Sequence, residues 1–378
     1  NTNLRLHMDI FKEANLRLDN FIQNNLDSYH DLRNYDFGVN NRTNVSQISK
    51  YTSHRILLEY EIIEKLKTID RKKKFTDELI WRIYWKGYLE NYKSIWSEYK
   101  NITKFSYNPT VFNDANNGVT GIKCFDEWIE ELRENNYLHN HSRMWFASIW
   151  IFKLRLPWQL GARIFMEHLY DGDAASNTLS WRWIAGLHTN NKPYLATNEN
   201  IKKYTSNRFE NNPINISNKI NIIKNIRPKS NKIPFQLNAP TSNTLLMFEN
   251  DLNIYNRHKL FNSYSKIYLI FNNYFEDRVK VSKNVVNFKI ALIEKVKNLI
   301  SNAEIISSSE LNLILDDIES IDVIYPGVGS NLDFITKCSN QKQVKINFIY
   351  RKEDLINWKN ANSGFYKFKS RFYSDNNL

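Results

Sequence analysis

Three short runs of this chain bring together side chains suited to a planar, hydrogen-bonding ligand. In LYDGDAASN, Asp171 and Asp173 flank Gly172, and Asn177 follows four residues after Asp173. A carboxylate accepts from an imide N–H or a sugar hydroxyl, and an amide both donates and accepts. The glycine tolerates positive φ and lets the backbone approach a ligand closely. The same loop also reads as a calcium loop or a plain helix cap; two acids without a third ligand suit calcium poorly, and the cap stays open. In HNHSRM, Asn140, Arg143 and Met144 share one helical face at i, i+3 and i+4. His139 and His141, two residues apart, point to different sides of a helix, which argues against a metal pair. In DELIWR, Glu78 and Trp81 share a face and Arg82 follows. An acid beside an indole is a base-recognition pair, or else Trp81 and Trp183 are core residues of a tryptophan-rich bundle. A looser run, Ser46, Gln47, Ile48 and Ser49, offers hydroxyls and backbone N–H groups at a helix start. That suits a diphosphate, or simply an N-cap.

These runs need helices to hold them. Up to about Phe209 the apolar residues recur at helical spacing: in Ile48 to Leu66, in FTDELIWRIYWKGYLENYKSIW and in GIKCFDEWIEELRENNYL. SRMWFASIWIFKLRL is apolar nearly all round, the mark of a buried helix. Residues 210–243 shift to Asn, Lys, Ser and Pro and read as a linker or surface excursion. Beyond them TLLMFE, KIYLIF, EIIS, IDVIY and KINFIY read as strands. They alternate with VVNFKIALIEKVKNLIS and SELNLILDDI as helices, which predicts a parallel α/β layer. PGVGSN follows a strand without a GxGxxG pattern and reads as a tight turn. The expected domains are 1–209 helical, 210–243 linker and 244–378 α/β.

The 378 residues suffice for two cores. Lys+Arg number 52 against 40 Asp+Glu, a net charge of +12 that suggests a polyanionic partner. Only two cysteines, Cys124 and Cys338, exclude a disulfide scaffold and a four-thiolate cluster and fit a reduced cytoplasm. No targeting segment stands out, and the most apolar run, Met144 to Phe152, is too short to span a bilayer. Nine of the ten tryptophans precede residue 200, and only Trp358 follows, so the two halves should do different work.

Taken together, Gly118 to Trp183 resembles the flavin-binding domain of the photolyase/cryptochrome family. A TG turn, the HN-x-x-RM start, a W-x-x-G step (Trp158 to Gly161) and the DGD-x-A-x-N…W-x-W loop occur in order. FTDELIWRIYW resembles the family's ELIWREFY helix, and RTNVSQISKY more loosely its phosphate-binding turn, with Val45 and Lys50 replacing the usual Thr and Pro. The resemblance covers about the first two hundred residues. Departures are Ile83 for Glu, Phe75 for Trp at a flavin contact, and KPYLATNENIKKYTSNRF, which keeps only Lys192, Pro193 and Tyr194 of the usual segment.

The resemblance implies an all-helical FAD-binding domain followed by a C-terminal Rossmann-like α/β domain, an order reversed relative to typical family members. It implies FAD as cofactor, with a second antenna chromophore left open, and no metal. Tyr29, Ser46, Gln47, Ile48, Ser49, Phe75, Asn140, Arg143, Asp171, Asp173 and Asn177 would bind the cofactor, Asp171 pairing with Arg143 and Asn177 facing the flavin N5. Glu78, Trp81, Arg82, Asn140, Met144 and Trp183 would bind substrate, and Asn140 with Met144 points to cyclobutane dimers. Glu78, Asn140, Asn177, Trp181 and Trp158 would carry the reaction, the two tryptophans conducting electrons. The third tryptophan of that chain is replaced by Phe105, with Tyr107, Trp145 or Trp150 as candidate substitutes. The expected function is light-dependent repair of pyrimidine dimers in DNA by a monomeric cytoplasmic lyase; the alternative is a cryptochrome-like blue-light sensor without repair activity. Arg82, Lys86, Arg182, Lys192, Lys202 and Lys203 are the candidate phosphate contacts.

Overall fold

The computed structural model describes residues 9–101, 105–188, 192–209, 214–216, 228–230, 233, 237–271 and 280–376. Most of the stretch read as a linker lies outside them. The first half is helical: α1 (Ile10–Asn24), α2 (Leu26–Leu32), α3 (Ser49–Thr52), α4 (Glu59–Leu66), α5 (Lys73–Asn91), α6 (Ser94–Lys100), α7 (Pro109–Asn117), α8 (Lys123–Asn135), α9 (Asn140–Ser148), α10 (Trp158–His168), α11 (Ala174–Ile184) and α12 (Asn198–Tyr204). A π-helical turn, Ile149–Lys153, continues α9. The predicted helix over Ile48 to Leu66 is broken into α3 and α4. Arg55 sits between them at φ 54°, a left-handed conformation that ends a helix, and its guanidinium is drawn into an ion cluster described below.

α8 shows how pattern becomes packing. Cys124, Phe125, Trp128, Ile129 and Leu132 form its buried stripe. In its first turn Asp126 accepts from Thr120 N (3.0 Å), Thr120 Oγ1 (2.7 Å) and Gly121 N (2.9 Å), which fixes the TG turn ahead of the helix. α5 differs: residues on most of its circumference are buried, because it is packed on several sides.

The second half is a five-stranded parallel sheet in the order β3-β2-β1-β4-β5. Its strands are β1 (Thr244–Phe248), β2 (Lys266–Ile270), β3 (Ala303–Ile306), β4 (Ser320–Ile324) and β5 (Lys345–Ile349), all at the expected apolar runs. Between them lie α13 (His258–Phe261), α14 (Lys283–Lys297), α15 (Ser308–Asp316) and α16 (Ser330–Lys342); α17 (Lys352–Trp358) and α18 (Phe365–Asp375) end the chain's described part. β1 is buried from Leu245 to Phe248, as expected of a parallel strand covered on both faces. Leu246, Phe248, Val323, Phe334 and Ile335 form a core within this half, whereas Leu245, Met247 and Ile267 join the core of the helices.

The two halves are held together along α5. Asn91 Nδ2 donates to Trp358 O (2.8 Å), Tyr84 OH to Ser363 O (2.6 Å) and Tyr92 OH to Asn362 O (2.8 Å). At Gly87 a Cβ would stand 2.8 Å from Trp358 Cα, so a side chain there would force α17 away. A buried ion cluster lies beside this seam. Arg55 holds Asp354 through two bonds (2.6 and 2.9 Å) and Asp251 at 3.3 Å, and Arg351 holds Asp251 at 2.9 and 2.5 Å. Tyr60 OH donates to Asp354 (3.1 Å).

Candidate flavin and substrate cavity

A cavity of about 580 Å³ opens between α2, α5, α9 and α11. That lies within the roughly 300–1,000 Å³ typical of cofactor and small-molecule sites. Its walls gather nearly all the residues singled out in the sequence. Tyr29, Ser46, Gln47, Ile48, Ser49 and Phe75 line one part; Asn140, Arg143, Met144, Asp171, Asn177 and Trp181 another; Glu78, Trp81, Arg82 and Trp183 complete it.

The α9 and α11 ends are fixed by charge and capping. Arg143 lies one turn into α9, where its Nε donates to Leu138 O (2.9 Å) and its two Nη atoms hold Asp171 at 3.1 and 2.9 Å. Such a bidentate pair sets both orientation and charge. Burial opposes the charge on Asp171, but Arg143, hydrogen bonds from Arg143 and Ser49, and Arg82 hold its carboxyl below the usual range. Asp173 does different work. It caps α11, accepting from Ser176 N at 2.8 Å, and is not among the residues lining this cavity. The helix-cap reading of the DGD loop therefore applies to Asp173, and the expected cofactor contact of Asp173 is not formed by this wall. Asn177 donates its Nδ2 to Ala162 O (2.7 Å), which leaves Oδ1 as the atom available to a ligand.

Trp181 is buried, and its Nε1 has no hydrogen-bond partner; Ser176 Oγ is likewise unpaired. Both residues line the cavity. They are two of several buried polar atoms without a partner, and the two that belong to residues of this wall. The W-x-x-G step has a steric cause: a Cβ on Gly161 would lie 2.2 Å from the Trp181 ring.

Glu78 keeps 46% of its side chain open to the cavity and stands 3.9 Å from Arg33 Nε. Enclosure among protein atoms raises its pKa, Arg33 opposing the rise and Asp77 adding to it. Trp183 stacks on Tyr194 (centroids 5.8 Å, 25°), and Trp81 stacks on Phe365 of α18 (3.6 Å, 6°). Nothing in the local sequence marks Phe365, which lies in the half read as a separate domain.

Other expectations are redirected. Lys86, offered as a phosphate contact, points inward to Glu59 (3.5 Å). Arg182 is buried, pairs with Glu98 (3.2 Å) and covers the Trp158 ring. Neither is placed to meet a polyanion, whereas Lys192, Lys202 and Lys203 are exposed. Trp158 stacks on Tyr99 (6.0 Å), which in turn lies 5.2 Å from Trp96; Phe105 is half-buried. His139 accepts from His141 N and His141 stacks on Trp145, and among the described residues no group of His, Cys, Asp and Glu could hold a metal. No described helix is long and apolar enough to cross a membrane. At the switch point between β1 and β4 a second cavity, of about 130 Å³, is bounded by Glu90, Glu249, Lys289 and Gly327. It is smaller than the usual cofactor site.

Residues 75–246 match the family model of the FAD binding domain of DNA photolyase. Relatives include deoxyribodipyrimidine photo-lyases from Buchnera aphidicola (32% identical over 140 residues, 36% of this chain and 28% of the relative) and Escherichia coli (27% over 192 residues, 49% and 41%). A cryptochrome structure from Synechocystis superposes with a TM-score of 0.47 at 21% identity, covering 52% of this chain and 43% of that one. The chain thus spans less than half the length of each of these proteins. The likeness to the FAD binding domain of DNA photolyase is thus confined to part of the chain, residues 75–246.

Proposed function

We propose that the protein repairs cyclobutane pyrimidine dimers in DNA by light, with FAD in the 580 Å³ cavity. The observation that carries this reading is the convergence of Glu78, Trp81, Asn140, Met144 and Trp183 on the same cavity as the Asp171–Arg143 pair and Asn177. The residues fit the cofactor. Ser46 to Ser49 offer hydroxyls and backbone N–H groups to a diphosphate, and the unpaired Ser176 Oγ offers a further polar contact. Reduced FAD, when bound, supplies an electron under illumination. The chain's own side chains do the rest. Asn177 turns Oδ1 to the ring, and the Asp171–Arg143 pair fixes charge at the cavity wall. Trp81 and Trp183 take the flipped dimer between apolar surfaces, stacking being worth roughly 1–3 kcal/mol per base. Glu78 hydrogen-bonds the pyrimidines. On this reading Trp181 and Trp158 carry electrons; beside Trp158 stand Tyr99 and Trp96 instead of a third partner at Phe105.

On this reading the chain carries the family's two parts in reversed order, the α/β part second, and acts as a monomer in the cytoplasm on DNA that meets Lys192, Lys202 and Lys203. The test is direct. The purified protein, with its flavin chemically reduced, is illuminated with an oligonucleotide containing a thymine dimer, and loss of the dimer is measured. Loss that depends on light supports repair. Retained flavin with an intact dimer overturns it in favour of a light-sensing role, and a protein that takes up no flavin overturns both.

A further inference from the structure

The helix α5 has two working faces, and Trp81 belongs to both. Glu78, Arg82 and Trp85 line the cavity. Asp77 and Tyr84, four residues before Trp81 and three after it, meet the C-terminal segment instead: Lys369 Nζ donates to Asp77 (2.7 Å), Tyr373 OH to Asp77 (3.3 Å), and Tyr84 OH to Ser363 O (2.6 Å). These anchors fall on either side of Phe365. The Phe365 ring, itself buried, lies parallel to the Trp81 indole with centroids 3.6 Å apart and planes 6° apart. Phe365 is not among the residues lining the cavity, although Trp81 is. One face of the indole is therefore covered from behind, while the ring still borders the cavity. We propose that Phe365 is a positioning residue for the substrate site, and that α18 works as part of that site by holding Trp81 in the orientation in which a flipped base stacks on it.

A free indole would turn about its side-chain bonds, and a base stacking on it would have to order it first. A parallel aromatic backing removes that cost before substrate arrives, which is the logic of a preorganised site. Aromatic pairs contribute about 0.5–1.5 kcal/mol beyond the area they bury, so the expected loss is about 2- to 12-fold in affinity for dimer-containing DNA. The inference rests on the reading of the cavity as a pyrimidine-dimer site, and its test has one arm that does not.

Three variants separate positioning from packing. Phe365→Leu keeps an apolar filler without a stacking plane, Phe365→Tyr keeps the plane, and Trp81→Phe isolates the Trp81 fluorescence by difference from the parent. The expected result is that Phe365→Leu folds and retains flavin, binds dimer-containing oligonucleotide about 2- to 12-fold more weakly with the turnover of bound dimer little changed, and that Phe365→Tyr restores affinity. The Trp81 emission becomes more readily quenched by acrylamide in Phe365→Leu. Equal affinity and an unchanged Trp81 signal in Phe365→Leu would overturn the proposal. A parent protein that neither binds nor repairs dimers would refute the cavity's assignment and, with it, the substrate part of the proposal. The quenching comparison would still decide whether Phe365 fixes Trp81.

Discussion

Two buried polar regions lie on different sides of the helical half, and they are finished to different degrees. In the ion cluster between the halves, Arg55, Arg351 and Tyr60 direct their donors onto Asp251 and Asp354. Burial opposes the charge of Asp251, yet Arg351 and Arg55 hold it well below the usual carboxylate range. In the cavity one pair, Asp171 with Arg143, is equally well made, but Ser176 Oγ and Trp181 Nε1 have no partner and Glu78 stands mostly apart from its nearest cation. In the first region both carboxylates are held by cations, and the cluster serves to lock α17 against the loop between α3 and α4. The second leaves polar atoms of two cavity-lining residues, Ser176 and Trp181, unpaired. The two regions also differ in their surroundings: the second borders a cavity of about 580 Å³, large enough for a cofactor.

The comparison breaks most visibly if the seam is cut. Arg55→Ala leaves two buried carboxylates short of charge, and removal of one partner from such a cluster costs about 3–5 kcal/mol. Denaturant unfolding followed by circular dichroism should show that loss in the presence or absence of FAD; an unchanged midpoint would mean the cluster is solvated and not structural. Arg143→Ala cuts the corresponding pair in the cavity, where solvent can reach. Charge-assisted bonds contribute about 1.5–3 kcal/mol, and here the loss should fall on the ligand: FAD retained through gel filtration drops sharply, while the unfolding midpoint of the flavin-free protein moves less than for Arg55→Ala. Equal effects of the two variants on stability would erase the distinction.

Acid acts on both regions in the same sense. Asp251 and Asp171 both have folded pKa values below their ordinary ones. Each contributes stability that is present above the unfolded carboxylate value, about 3.9 for Asp, and is lost as pH falls through the lower folded value. The parent's stability should therefore fall on acidification below about pH 4. Asp251→Asn should flatten that fall, as read from unfolding midpoints across the range.

Much of this was legible in the chain. All five strands lie on the apolar runs that announce them, because buried parallel strands leave little room for polar residues. The cavity residues were legible because chemistry at a cofactor demands particular types: Asp171, Arg143, Asn177, Glu78 and Trp81 converge from three separate runs. Three things were not. The break at Arg55 depends on Asp251 and Asp354, some two to three hundred residues away in sequence. Lys86 and Arg182 look like surface cations until Glu59 and Glu98 are seen beside them. Phe365 lies outside every run that carries chemistry, and only the packing of α18 on α5 brings it to Trp81. Long-range contact, which local spacing does not encode, accounts for each.

A finer test concerns the cavity wall alone. Gly161→Ala places a methyl carbon where the Trp181 ring already lies. Inserting a methyl into a packed core costs about 1–3 kcal/mol. Trp181 lines the cavity, so its displacement should lower FAD affinity as well as the unfolding midpoint. The seam is remote from this change, and a protein destabilised without loss of flavin would show that Trp181 can give way on its other side, toward Phe165 and Trp150.

The smallest effect on stability, and the one most specific to the site, is expected at Glu78. Its folded pKa is raised, first by enclosure and then by Asp77, against the pull of Arg33. The sign is opposite to that of Asp251 and Asp171. Glu78 favours the folded state below its unfolded pKa, and that contribution is lost as pH rises through the higher folded value. Glu78→Gln removes a charge that the cavity holds unwillingly at neutral pH, so the variant should be no less stable than the parent at pH 7 and should lose any such advantage in acid. Flavin content should stay unchanged while dimer repair slows, because an amide keeps the shape but not the acid. A variant that loses stability at neutral pH would place Glu78 with the seam, as a structural ion paired to Arg33. Unchanged repair would remove it from the substrate site.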